Sequence, residues 1–329
     1  MPVQVRSFAK LNIGLYIGAR RASGFHELRT VYQTIALHDM LKVDAGRGVG
    51  IEIRCKNPQV PQDETNTCWR VAERVLKLLK ARARIVIQIE KNLPVQGGLG
   101  AASSNAVATM LAMERALKQQ LTPEQRWDIA AEVGSDLPLF LVGGTILGVG
   151  RGEEVFPLQD LLPTACVLVT PELGVSTPKA FADWDALFPP DGQVQPSPPE
   201  LTAPATPSRI NVFGRSVFEW LAGSLSGVPA QAGGDRAETP LLDLVRAGIE
   251  NDFERVVFPE HPELREAKRV LERAGARYAS LSGSGSALYG LFESAELANA
   301  AAEKVSGERL PAVATSTLTR AEYWAKMFE

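Results

Sequence analysis

The run Pro94-Val95-Gln96-Gly97-Gly98-Leu99-Gly100-Ala101-Ala102-Ser103-Ser104 has the composition of an anion cradle. Gly97, Gly98 and Gly100 remove the side chains that would hold a phosphate off the backbone, and they permit positive φ. Ala101 and Ala102 keep the approach small, and Ser103 and Ser104 add hydroxyls that can cap a helix or touch a phosphate or metal ion. A glycine-rich turn that only reverses the chain has a similar composition, so placement decides between the two. The β-branched run 85–89 leads into the loop, and Val107, Met110, Leu111 and Leu117 continue from it at helical spacing. The loop is therefore expected at a strand exit that feeds a helix N-terminus, where free N–H groups and the positive end of the helix dipole converge. It is not a P-loop, because no lysine precedes the serines, and with Ser at 103 it does not complete a dinucleotide fingerprint.

The elements that must position this loop can be placed coarsely. In the first half, strands are expected at 3–8, 11–17, 31–37, 49–54, 85–89 and 144–149, where β-branched residues or alternation dominate. A helix runs through Trp69, Ala72, Leu76 and Leu79. Thr122-Pro123-Glu124-Gln125 opens another, with Thr as N-cap and Gln three residues on, and Gly134 closes it. Asp136 then stands in a turn just past a helix end, where rigid scaffolds often hold reactive groups. In the second half, a strand at 165–170 precedes helical stretches near 212–221 and 241–247. A helix from Pro262 to about Gly275 comes next, then strands at 278–281 and 287–292, a helix at 295–305 and a strand at 312–317. With the inserted helices set aside, this is the β-α-β-β-α-β order of a split βαβ unit. The proline-dense stretch 189–207 and the glycine-rich stretch 223–234 are expected as surface loops. The fold class expected is α+β, divided into domains at 1–158 and 159–329.

Composition excludes several function classes. The chain has 329 residues, 45% hydrophobic and 22% charged, with a formal net charge of −3, as in a soluble globular protein. No basic tail suggests a nucleic acid partner. Cys55, Cys68 and Cys166 are far apart and form no C-x-x-C or Cys/His metal spacing, which fits free thiols in a reducing compartment. No signal or transit segment and no apolar run approaching ~20 residues is evident, so the expectation is a cytoplasmic protein without a membrane span.

The order Pro-x-x-x-Gly-Leu-Gly-small-small-Ser-Ser resembles the second motif of the GHMP kinases, a family of small-molecule kinases. Its companions follow in order. Phe8-Ala9-Lys10-Leu11-Asn12-Ile13-Gly14-Leu15 resembles the first motif and Leu281-Ser282-Gly283-Ser284-Gly285-Ser286-Ala287 the third, with Gly134-Ser135-Asp136-Leu137-Pro138-Leu139-Phe140 between them. Ser23-Gly24-Phe25-His26-Glu27-Leu28 is similar to a D-G-Y-H-x-L segment of the branch that acts on cytidine diphosphate methylerythritol. Gly174-Val175-Ser176-Thr177-Pro178 and Asn251-Asp252-Phe253-Glu254 resemble further segments of that branch. Phe25 replaces the usual tyrosine, keeping the aromatic face and losing the hydroxyl; Ala101 and Ala102 stand where the family often has glycines.

The resemblance implies a two-domain fold with the site in the cleft between a mixed-sheet N-terminal domain and a ferredoxin-like C-terminal one. It implies ATP and Mg2+ as cofactors, with Pro94, Gly97, Gly98, Leu99, Gly100, Ala101, Ala102, Ser103 and Ser104 at the nucleotide and Ser104 at the metal. It makes Asp136 the base for the acceptor alcohol and Lys10 its partner. Asn12, Gly283, Ser284 and Gly285 fall on the substrate side, and Phe25, His26 and Phe181 at the cytidine. His38 and His261 read as structural. The implied reaction is phosphorylation of a 2-hydroxyl in the non-mevalonate isoprenoid route, by a monomer or weak homodimer. Homoserine, mevalonate or galactose kinases of the same family are the alternatives, against which Phe25-His26 and the Gly174–Pro178 segment speak. A non-catalytic binding protein on this scaffold is the other, against which Lys10, Asp136 and the intact loop speak.

Overall fold

The computed structural model describes residues 2–21, 24–95, 97–188 and 249–328. The helical stretches expected near 212–221 and 241–247, and the loops at 189–207 and 223–234, lie outside the described residues.

The first sheet is organised by two long strands, β1 (Val3–Arg20) and β2 (His26–Gly46), paired antiparallel. The other edge of β2 takes β5 (Thr145–Val149) against residues 30–33 and β4 (Arg84–Glu90) against residues 40–46. Outermost lie β3 (Gly50–Cys55), parallel to β4, and β6 (Glu154–Pro157), antiparallel to β5. The two strands expected at 3–8 and 11–17 are one strand, whose pairing slips between Phe8 and Lys10 and again between Asn12 and Leu15. Such bulges bend a strand and re-aim its side chains. Between the two slips, Lys10 and Asn12 share one face of the strand, and the Lys10 N–H donates to Leu99 O at 3.0 Å, tying β1 to the glycine loop.

Helices α1 (Thr67–Leu78), α2 (Ala101–Leu117), α3 (Pro123–Val133) and α4 (Leu137–Phe140) cover this sheet. The side chains from Ser104 to Glu114 on α2 are all buried, because the helix lies between α1 and the strands β1 and β2. A helix buried on all its faces is stable only in such a position.

The second sheet holds β7 (Ala165–Val169), β8 (Tyr278–Leu281), β9 (Leu288–Phe292) and β10 (Ala312–Ser316) in the order β10-β7-β9-β8, every neighbour antiparallel. That is the split βαβ order, with α7 (Pro262–Arg273) and α8 (Ala295–Gly307) as crossover helices. Helices α5 (Thr177–Leu187), α6 (Glu254–Glu260) and α9 (Arg320–Met327) complete the described elements. Residues 320–327, grouped with the second domain in the sequence division, pack on the first. Tyr323 and Met327 share a core with Val5 and Phe8, and the Tyr323 hydroxyl donates to Phe140 O at 2.7 Å.

A further core joins the two sheets through Leu11, Ile13 and Ile35 on one side and Cys166, Leu168 and Tyr289 on the other. Leu99 and Ala287 belong to this core. The glycine loop is thereby seated on the seam between the sheets.

Candidate active site

The glycine loop is held by its carbonyls. Gly98 O accepts from Lys10 Nζ at 2.9 Å and from Ser282 Oγ at 3.1 Å, and Gly97 O accepts from Ala287 N at 3.2 Å. Gly98 and Gly100 have φ of +73° and +67°. A Cβ on Gly98 would lie 2.1 Å from Ser282 O. Glycine is required there by the facing 282–287 loop as well as by its dihedrals. Gly100 is the N-cap of α2 and offers no side-chain cap, so the first-turn N–H groups are free for an anion. They face a cavity of ≈ 380 Å³ lined by Pro94, Gly97, Gly98, Leu99, Gly100, Ala101, Ala102 and Ser103. Asn66, the N-cap of α1, and Thr67 also line it.

A fully buried carboxylate frames this cavity. Asp39 accepts from Lys91 Nζ at 2.6 Å, Leu93 N at 2.7 Å, Asn92 N at 2.8 Å and Asn105 Nδ2 at 3.0 Å. It therefore locks the strand exit to α2. Asn105 Oδ1 is buried at the cavity without a protein partner. The two serines differ. Ser103 lines the cavity, whereas Ser104 is 2% exposed, lies outside both cavity linings, and its hydroxyl accepts from Ser7 Oγ at 2.7 Å.

A second cavity of ≈ 640 Å³ meets the first at Gly98, which lines both. It contains Lys10, Asn12 and Asp136. Lys10 is 3% exposed, and its Nζ donates to Asn12 Oδ1 at 2.6 Å and lies 3.6 Å from Asp136 Oδ2. Burial lowers the Lys10 pKa, and the Asp136 carboxylate pulls it the other way. Asp136 occupies the N-cap position of α4, as the turn after Gly134 requires, with its side chain 35% exposed toward the cavity. Asn12, expected on the substrate side, lines this cavity and is anchored from both ends of its amide: Oδ1 accepts from Lys10, and Nδ2 donates to Thr30 Oγ1 at 2.9 Å.

Gly283 and Ser284 line this cavity and Gly285 does not. The segment 251–254 holds their loop in place: Asn251 Nδ2 donates to Leu281 O and Gly283 O, both at 2.8 Å, and Glu254 Oε1 accepts from Leu281 N at 2.9 Å.

At the other end of the cavity His26 is 8% exposed. Its Nε2 lies 2.7 Å from Asp185 Oδ1, and its ring stacks on Phe181 at 5.1 Å with the planes 5° apart. Phe25 is 53% exposed with the Arg151 guanidinium 5.0 Å from its ring. Phe181 thus covers His26, and Phe25 and Phe181 both line the cavity. Sequence reasoning missed Asp39, Tyr32 and Asp185. Asp185 gives no signal of its own; it reaches His26 because α5 places it four residues after Phe181, on the same helix face.

Comparison with known proteins agrees with this architecture. Residues 66–144 match the GHMP kinases N terminal domain and residues 238–312 the GHMP kinases C terminal domain. A 4-diphosphocytidyl-2-C-methyl-D-erythritol kinase of Solibacter usitatus is 36% identical over 88% of this chain and 80% of its own. A crystal structure of a 4-(cytidine 5'-diphospho)-2C-methyl-D-erythritol kinase superposes with TM-score 0.70 at 28% identity, covering 95% of this chain and 98% of that one. A homoserine kinase from Cytophaga hutchinsonii superposes with TM-score 0.65 at 18% identity, over 97% of this chain and 95% of that one, a likeness of fold. Among the described residues, no helix is long and apolar enough to cross a membrane. Matched in both GHMP regions and aligned with such relatives over most of its length, the chain belongs to the GHMP kinases, in the family of the 4-diphosphocytidyl-2-C-methyl-D-erythritol kinases.

Proposed function

We infer that this protein transfers the γ-phosphoryl group of ATP to the 2-hydroxyl of 4-diphosphocytidyl-2-C-methyl-D-erythritol, a step of the non-mevalonate isoprenoid route. The observation that carries the reading is one cavity with two ends. Lys10 and Asp136 lie beside the glycine loop, and His26 lies at the far end with Phe181 and Asp185. Phosphoryl transfer asks the protein chiefly for positioning and charge stabilisation. The acceptor oxygen forms a bond to the γ-phosphorus as the bond to the β-bridging oxygen breaks. Asp136 takes the hydroxyl proton, and ADP leaves with the electron pair. Lys10, its Nζ 3.6 Å from Asp136 Oδ2, orients that carboxylate and offsets charge developing between the two cavities. The free N–H groups at the start of α2 bind the phosphates.

The unpartnered Asn105 Oδ1 fits a nucleotide that brings a donor into the first cavity. Mg2+ takes oxygen donors and is usually held by few protein groups together with substrate phosphates. Ser103, at the first turn of α2, brings a hydroxyl to this cavity that would join it. When bound, the ion neutralises charge on the transferred phosphoryl group. The cytoplasm is the compartment we assign, where Cys55, Cys68 and Cys166 stay as free thiols.

Base recognition yields a prediction. With Asp185 as acceptor, His26 carries its proton on Nε2, leaving Nδ1 for the amino edge of cytosine. Phe25 offers an exposed face for stacking, a contact worth about 1–3 kcal/mol per base. His26→Ala and Phe25→Ala should each raise KM for the cytidine substrate by roughly tenfold or more and leave KM for ATP nearly constant. Asp185→Asn should do the same to a smaller extent, and Phe25→Tyr should be tolerated. ADP release measured in parallel on the cytidine diphosphate substrate, homoserine, mevalonate and galactose decides the substrate. An unchanged cytidine-substrate KM in both alanine variants leaves only a small-molecule kinase of unassigned acceptor.

A further inference from the structure

Tyr32 lies on β2, directly opposite Asn12 of β1, and is 3% exposed. Its ring lies 5.5 Å from Lys10 Nζ, and its hydroxyl donates to Asp136 Oδ1 at 3.4 Å. The other carboxylate oxygen, Oδ2, is the one beside Lys10. The seat of the phenol is cut by two glycines of the β5–β6 hairpin. A Cβ on Gly148 would lie 2.4 Å from Tyr32 Cε2, and a Cβ on Gly152 would lie 2.4 Å from Tyr32 Oη. The hairpin therefore fixes where the hydroxyl stands.

We propose that Tyr32 is a positioning residue of the phosphoryl transfer. Its hydroxyl clamps one oxygen of Asp136, so that the oxygen beside Lys10 meets the acceptor alcohol. The proposal rests on Asp136 being the base. Burial, with the carboxylates of Asp136 and Glu153 nearby, pushes the Tyr32 pKa well up, so the phenol keeps its proton and remains a donor across the working pH range. The charged groups around the pair are Lys10 from β1 and, from the β5–β6 turn, Arg151 and Glu153, which pair with each other at 2.9 Å. All are retained when only the hydroxyl is removed.

Tyr32→Phe keeps the ring and tests the hydroxyl alone. The expected result is a fall in kcat of about tenfold, the size of one hydrogen bond to a charged group, with both KM values nearly unchanged. In an Asp136→Asn background, Tyr32→Phe should add no further loss. An unchanged kcat in Tyr32→Phe overturns the proposal. So does an equal loss with and without the Asp136 carboxylate, which would assign Tyr32 to packing. Wild-type turnover in Asp136→Ala would instead remove the base on which the proposal rests. An inactive Asp136→Ala beside an unaffected Tyr32→Phe rejects the Tyr32 clamp alone.

Discussion

Asp136→Ala is expected to lower kcat by about 10²–10⁴, the usual contribution of a positioned general base, while ATP binding measured by calorimetry stays close to wild type. The separation follows from where the side chain sits. Asp136 lines the second cavity and does not line the first, which is bounded by the glycine loop and the start of α1. Its loss leaves the buried Lys10 ammonium with Asn12 Oδ1 and Gly98 O as partners, so the Lys10 pKa should fall further below its ordinary value. The residual rate should therefore decline as pH rises through that lowered value, because the ammonium that offsets developing charge is then lost. Near wild-type turnover in Asp136→Ala would remove this residue from the mechanism.

Gly98→Val should have the broadest effect. The new Cβ would stand 2.1 Å from Ser282 O and 3.2 Å from Gly285 O, on a backbone with φ of +73°. A β-branched residue held in the left-handed region costs on the order of 1–3 kcal/mol, and a carbon 2.1 Å from a backbone oxygen must also push two loops apart. That movement breaks the hydrogen bonds that Gly98 O accepts from Lys10 and Ser282. Three results should therefore appear together: ATP affinity reduced by roughly 100-fold or more, a lower melting temperature, and a reduced kcat at saturating nucleotide. Reasoning from the loop's sequence leads only to the first, because the obstruction is then pictured as meeting phosphate. In the folded protein it meets the 282–287 loop. A stably folded Gly98→Val that binds ATP as well as wild type would refute the cradle.

Much of the scaffold is legible in the sequence where local rules decide. The capping box at Thr122 and Gln125 forms as expected. The β-α-β-β-α-β order becomes the sheet order β10-β7-β9-β8. What local rules miss are elements whose stability comes from distant partners. The single strand β1 reads as two because its bulges fall where the pattern changes. Helix α9 carries a readable capping box at Thr319 and Glu322, but nothing local says that Tyr323 will pack on Phe8. Helix α5 is short and weakly patterned, and it acquires its meaning from the cavity it closes.

The candidate site divides in the same way. The sequence by itself determined the chemistry on offer: a glycine loop entering a helix, a lysine on a strand, a carboxylate in a turn and an aromatic–histidine pair, in the order of a known kinase family. Those are properties of residue type and near-neighbour spacing, and they survive without coordinates. Only the tertiary structure decided which groups meet. It assigned Asn12 to Lys10 and Thr30, turned Ser104 toward Ser7 while leaving Ser103 at the cavity, laid Phe181 on His26, and brought in Tyr32, Asp39 and Asp185. The physical reason is sequence distance. The Tyr32–Asp136 and His26–Asp185 contacts join residues 104 and 159 positions apart, and contacts of that range are set by strand register and sheet packing rather than by local pattern.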